Sequence, residues 1–496
     1  MEGEYCEGNE MIRFNKDELR DKIYACWLGK NIGGTLGGPF ECIKGTVECD
    51  GFVIEKGKPL PNDDLDLQLV WLMAMHEEGP QRVNASLLGT YWDEYITPPW
   101  GEYGVTKGNM RLGITPPLSG QYMNEWKHSN GAWIRTEVWA CMYPGDVEMA
   151  VHYAFEDASV DHGVGEGTYA AVFVAAMEAA AFFVNDLREL ITIGLSNIPK
   201  ECKMYTYICK AVECYDNGMT WLEARNILTD MTLQDPELGW MQAPANVGYA
   251  IIGLLWGEGD FKETLLIACR CGDDTDCTCA TAGSLLGIMH GTRIIPKDWH
   301  EYIGDEIVTI SLNEGNLRSY YKIDQKTHFH MPKTCTELTD KIMKILPVTL
   351  YKREIELTSG ETEIGEDVIA SFYGEKLSLH DRAEYAFETT SDLCDYRVEY
   401  DGGIDVLPNS EKKITVVIHN KFLSVKLASF EWILPEGWTV EGRKNMKLVG
   451  SWVRPWPQTE FVIRTTENVA PKNMLILKIT YESHHNTELI PVLLLG

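Results

Sequence analysis

Asn62-Asp63-Asp64-Leu65-Asp66 and Asp273-Asp274-Thr275-Asp276-Cys277 crowd six carboxylates into two short groups about two hundred residues apart. Like charges at such density repel and raise one another's pKa unless a cation neutralises them. Oxygen-rich ligand sets suit hard ions, above all Mg²⁺, with Mn²⁺ or Ca²⁺ as alternatives. A single aspartate at a helix start caps free N–H groups and complements the helix dipole. Three acids in five residues exceed that need. An EF-hand requires a twelve-residue loop with a sixth-position glycine and a closing glutamate, and neither group has that pattern. A fold that brings the groups together makes a two-cation site.

Each group precedes a helical pattern. The helix after the second is small in its side chains, Cys277-Thr278-Cys279-Ala280-Thr281-Ala282-Gly283-Ser284, which suits close approach of a neighbouring backbone at the centre of a bundle. Gly33-Gly34-Thr35-Leu36-Gly37-Gly38-Pro39-Phe40-Glu41 ends the first long helical pattern. It follows a helix and lacks the Lys-Ser/Thr ending, so it is not a P-loop, and it places Glu41 on a turning segment.

Helical periodicity runs from about Asn15 to Pro347, after an N-terminal tail at 1–14. Asn15 with Glu18, Thr220 with Glu223, and Asp260 with Glu263 read as capping boxes. Residues 91–126 break the pattern with Trp92, Trp100, Tyr103, Tyr122 and Trp126 among prolines and glycines, which predicts an ordered loop excursion. From residue 350 to 496 the period falls to two, as in Ile414, Val416, Ile418 and Leu475, Leu477, Ile479. Turn signals between such runs predict an antiparallel β-sandwich, and LPEGWTVEG resembles a feature of immunoglobulin-like domains appended to glycosidases. The expected fold class is therefore mainly α, an all-helical bundle followed by a small C-terminal β-sandwich.

The net charge is −30 with no long basic run, which argues against nucleic acid or an anionic membrane as partner. No secretory signal and no run of about eighteen apolar residues is visible. Fourteen cysteines without a signal fit a reducing cytoplasm. Cys269, Cys271, Cys277 and Cys279 follow no common structural zinc spacing and read as small core thiols.

Taken together, GGTLGGPFE, NDDLDLQ, NGAWIR, DHGVGEG and GDDTDCTCATAGSLLG resemble the ADP-ribosylglycohydrolase family, over roughly Asn15 to Gly291. The resemblance implies a helical bundle holding two Mg²⁺ ions, with Asn62, Asp63, Asp64, Asp274, Asp276 and Cys277 as ligands. It places the family's mobile glutamate on Glu41, gives catalytic roles to Glu41, Asp63 and Asp274, and puts Trp126, His128, Asn130, Gly131 and His162 on the substrate side. Asn62 and Cys277 replace hydroxyl residues of the family pattern, Asp273 replaces a glycine, and Asp161 stands where threonine is commoner. Trp126-Lys127-His128-Ser129 replaces the small, glycine-rich segment that holds the diphosphate of ADP-ribose.

The expected activity is metal-dependent cleavage of an O- or N-glycosidic bond of a furanosyl group. The substrate would be an ADP-ribosylated molecule, or a small or oligosaccharide furanoside. The alternative is a catalytically inactive ADP-ribose- or sugar-binding module of the same fold. Oligomeric state is left open.

Overall fold

The computed structural model describes residues 12–239, 241–313, 329–351, 355–374, 383–482 and 487–496. Helices make up the first part. Lys16–Gly37 (α1) starts under Asn15, whose side chain accepts from the N–H groups of Asp17 and Glu18, both at 3.0 Å. Glu18 does not complete the box, because its carboxylate accepts from Thr362 instead. At Thr220 and Glu223 both halves of the box are present. Asp63–Glu78 (α2) is buried on nearly every side from Asp64 to Met75, so it runs through the core rather than over it.

The aromatic stretch forms two helices where a loop was expected, Ala85–Tyr95 (α3) and Gly101–Leu112 (α4). The breakers fall at the ends: Pro98 and Pro99 lie between the helices, and Gly113 at φ 88° closes α4 in the left-handed region. Within α4 the internal Gly104 and Gly108 are tolerated, and a Cβ on Gly104 would stand 2.4 Å from the Pro99 carbonyl oxygen. The helix Cys335–Tyr351 continues past Pro347, and a short helix, Glu366–Ser371, follows it. The helical expectation over 314–328 lies outside the described residues, as do 1–11 of the expected tail and three short segments of the expected sandwich.

The end of the tail is not loose. Ile12–Asn15 is a strand, parallel to Ile355–Thr358 and antiparallel to Glu363–Ile364. Phe14 is buried against Phe182 and Phe183, at ring-centre distances of 6.3 and 4.6 Å.

The C-terminal part is an antiparallel β-sandwich. One sheet has the order Ala386–Thr390, Cys394–Tyr400, Glu411–Asn420, Gln458–Arg464, Thr439–Gly442. The other runs Thr487–Leu495, Lys472–Tyr481, Lys426–Ile433, Asn445–Leu448. Ile414, Val416, Ile418, Leu475, Leu477 and Ile479 all face the interior, as period two requires. Ile114 and Leu118, which follow α4, are part of this same core. Among the described residues no helix is long and apolar enough to cross a membrane, and the cysteines are free thiols.

Candidate metal centre

Close packing of two glycine-bearing helices brings the acidic groups together. A Cβ on Gly29 would stand 2.2 Å from the Gly283 carbonyl oxygen of the Thr275–His290 helix. Cβ atoms on Gly33 and Gly37 would stand 2.2 and 2.1 Å from the oxygens of Cys279 and Thr275. Numbering falls on one helix as it rises on the other, so the helices are antiparallel, and the end of α1 meets the start of its partner. Thr275 Oγ1 donates to the Gly37 carbonyl at 2.9 Å. Beyond the helix ends the two loops pair: Cys42 N donates to Asp273 O at 2.8 Å, and Asp273 N to Ile43 O at 2.6 Å. Glu41 thereby sits next to Asp274 and Asp276. Gly34 makes room for the second group, since a Cβ there would collide with Asn62 Nδ2 at 1.8 Å.

Two sets of ligand atoms result, each within 4.8 Å of one another: Glu41, Asp274 and Asp276, and Asp64, Asp276 and Cys277. Asp276 belongs to both. Asp64 Oδ2, Asp274 Oδ1 and Asp276 Oδ1 are buried without a hydrogen-bond partner among the described residues. Lys30 Nζ lies 3.5 Å from the Asp64 oxygen, but orphaned oxygens such as those of Asp274 and Asp276 are costly at this depth unless a cation meets them, so the residues fit a divalent ion.

Electrostatics agree. Burial first, then Asp276, pushes the Asp274 carboxyl well above its usual range. Burial raises Asp64 likewise, against the pull of Lys30. Asp63 is raised to about 6 by burial and then Asp276, while a hydrogen bond from Tyr103 acts downward. Asp276 is the main cause of a rise to about 8 at Glu41, followed by burial and Asp63.

Not every acid of the two groups joins the centre. Asp66 accepts from the backbone N–H groups of Ile310 and Ser311 and so anchors that segment. Asp273 pairs with Lys44 at 2.8 Å and with Asn246 at 3.4 Å. Asn62 caps α2, its Oδ1 accepting from Asp64 N at 2.8 Å, while its Nδ2 has no partner among the described residues.

On the expected substrate side, Asn130 Nδ2 donates to Asp274 Oδ2 at 2.5 Å, and its Oδ1 accepts from Trp133 Nε1 at 3.1 Å. Asn130 thus orients a carboxylate of the centre. A Cβ on Gly131 would meet Glu102 Oε1 at 2.1 Å. His162 is wholly buried, with Nδ1 2.9 Å from Asp161 and Nε2 3.1 Å from Ser129 Oγ. Arg135 in turn grips Asp161 and Asp157, at 2.7 and 2.8 Å. His128 Nδ1 accepts from Glu166 N at 3.1 Å, and burial lowers its pKa to about 4, so its ring is neutral. Trp126 is half-buried over Gly101, where α4 begins.

The sequence profile of the ADP-ribosylglycohydrolase family matches residues 15–324. This chain belongs to the ADP-ribosylglycohydrolase family. ADP-ribosylarginine hydrolase Tri1 of Serratia proteamaculans (strain 568) is 36% identical over 50 residues, which span 10% of this chain and 14% of that protein. A solved ADP-ribosylglycohydrolase-related protein complex aligns at 17% identity and TM-score 0.40, covering 68% of this chain and 99% of that one. A FixG-related protein from Vibrio parahaemolyticus aligns at 11% identity and TM-score 0.19, covering 21% of this chain and 98% of its own.

Several neighbours of the centre in this family member lie outside the site residues expected from sequence. Tyr103 of α4 donates to Asp63 Oδ2 at 3.1 Å, its ring packed edge-on against Trp92. Lys30 lies fully buried 3.5 Å from Asp64 and 2.7 Å from Glu137. Burial alone would lower its pKa, yet Glu137 and Asp64 hold the ammonium above its ordinary range. Gln68 Nε2 ties the Asp64 carbonyl to Glu137, at 2.8 and 2.9 Å. Gln68 closes the NDDLDLQ motif, and that position was its one sequence signal.

Proposed function

We propose that this chain is a metal-dependent glycosidase that cleaves the O- or N-glycosidic bond of a furanosyl group, either ADP-ribosyl in type or a carbohydrate furanoside. The observation carrying this reading is the convergence of Glu41, Asp64, Asp274 and Asp276, with buried oxygens on the three aspartates that have no hydrogen-bond partner among the described residues, and with Asp63 near enough to raise the Glu41 pKa. Asp63, Asp64, Asp274 and Asp276 would hold two divalent cations, Mg²⁺ or Mn²⁺ in the first instance, with Asn62 and Cys277 beside them. Bound there, the ions supply Lewis acidity and a more acidic water.

The chain's own groups do the rest. Glu41 is exposed at the mouth of the centre, and its neighbours favour its protonated form near neutral pH. Lying beside Asp274 and Asp276, it is placed to pass a proton between the attacking water and the leaving oxygen or nitrogen. Asp63, steered by Tyr103, and Asp274, steered by Asn130, present fixed negative charge to the developing oxocarbenium character at the anomeric carbon. Trp126 and the backbone around Gly131 border the sugar.

The test is hydrolysis of ADP-ribosylarginine and of aryl furanosides by the full chain, before and after chelation. Chelation abolishes turnover and Mg²⁺ or Mn²⁺ restores it. Asp274→Asn lowers turnover by ~10²-fold or more with an unchanged circular dichroism spectrum. Near wild-type rates in that variant contradict the reading. The bulky Trp126–Ser129 segment favours the second reading, a binding module. Ligand binding by calorimetry with no turnover on either substrate selects it.

A further inference from the structure

The two ligand sets differ in chemistry. Glu41, Asp274 and Asp276 offer only oxygen, whereas Asp64, Asp276 and Cys277 include sulfur. Cys277 Sγ donates to Asp64 Oδ1 at 3.4 Å. Two ligands of a tetrahedral ion, sulfur at ~2.3 Å and oxygen at ~2.0 Å, stand about 3.5 Å apart. The S–H···O contact thus already has the spacing of a metal's sulfur and oxygen ligands. Asp276, only 7% exposed, offers a carboxylate oxygen within 4.8 Å of the Asp64 and Cys277 ligand atoms and has an Oδ1 with no hydrogen-bond partner among the described residues, and Cys277 is 5% exposed. Lys30 lies 3.5 Å from Asp64 Oδ2 and so crowds that oxygen, leaving Oδ1 for an ion. One oxygen from Asp64, one from Asp276 and one sulfur make three protein ligands, the number found at low-coordinate catalytic sites with an open fourth position. Mg²⁺ demands six oxygen-type ligands, and sulfur serves it poorly.

We propose that Asp64, Asp276 and Cys277 form a thiolate-bearing site for a thiophilic divalent ion of the Zn²⁺ class, leaving the all-oxygen set around Asp274 for a hard ion. The centre is then heteronuclear. This inference rests on the cation-site reading above and specifies its metals. On binding, the S–H bond breaks, its proton leaves to solvent, and the sulfur lone pair forms the bond to the ion.

Co²⁺ reports on such a site, because thiolate ligation gives an intense near-ultraviolet charge-transfer band that oxygen ligation lacks. Added to the metal-free full-length chain, Co²⁺ produces that band, a large excess of Mg²⁺ leaves it, and Zn²⁺ bleaches it. Cys277→Ser abolishes the band and weakens Co²⁺ binding by at least the ~10-fold that even outer partners of a metal site cost. Cys42→Ser, at an exposed thiol, keeps it. The melting temperature of metal-free Cys277→Ser guards against misfolding, and the wild-type spectrum is decisive by itself. Co²⁺ bound with ligand-field bands but no charge transfer, or a band that survives Cys277→Ser, overturns the thiolate site and leaves the cation centre standing. Failure of the chain to bind any divalent ion overturns both.

Discussion

Asp276 holds the pivotal position, because both ligand sets use it and because it is the largest cause of the raised Glu41 pKa. Glu41 and Asp63, pushed to about 8 and about 6, lie above the ordinary carboxylate value of about 4. Native acids with raised pKa values bind more protons than the unfolded chain does between those limits. Their contribution is favourable below the unfolded value and is lost as pH rises through 6 to 8. Melting of the metal-free protein followed from pH 5 to 8 therefore shows a falling temperature, and Mg²⁺ flattens the fall by neutralising the same charges. A metal-free melting temperature that climbs over this range contradicts the charge balance described here. The two aspartate groups stood out in the sequence because their density exceeds what helix capping explains, whereas Glu41 entered only through the family resemblance. Lys30 was not, since a lone lysine in a helical pattern reads as surface until Glu137, 107 residues away, is seen to lie against it.

Among the elements, α1 and the Thr275–His290 helix do the positioning, and their contact depends on glycine at the points of closest approach. Gly33→Ala places a methyl 2.2 Å from the Cys279 carbonyl oxygen, which forces the helices apart. The expected destabilisation is about 1–3 kcal/mol by denaturant unfolding, with weaker cation binding because Glu41 and Asp276 separate. Gly45→Ala, with nothing within 4 Å, serves as the neutral comparison. Equal stability of the two variants would show that the seam does not set the geometry. The run of small side chains from Cys277 to Ser284 announced a central helix, and the structure places it there. The aromatic stretch misled, because its prolines lie outside α3 and α4, Gly101 and Gly113 mark the ends of α4, and the helix tolerates Gly104 and Gly108 inside it. Tyr103 reaches Asp63 only because α4 forms.

At the scale of the molecule, the sandwich and the helical part share more than a linker. Ile114 and Leu118 sit in the sandwich core, Tyr122 donates to Asp405 at 2.7 Å, and Gln121 to Glu384 at 2.6 Å. The sandwich therefore anchors the far end of α4, the helix that carries Tyr103 to the centre. Period-two patterning revealed the sandwich from sequence, as each alternating side chain meets one of two environments. The pairing of Ile12–Asn15 with Ile355–Thr358 stayed hidden, because nothing in a four-residue strand specifies a partner more than three hundred residues away. The proposed activity requires that distant segments assemble one cation centre. Metal content per chain, measured after equilibration with Mg²⁺, Mn²⁺ and Zn²⁺ and removal of free ions, tests it most directly. Two divalent ions per wild-type chain are expected, with loss of both in Asp276→Asn of unchanged circular dichroism. A wild-type chain that retains no ion, or an Asp276→Asn chain that retains two, would contradict it.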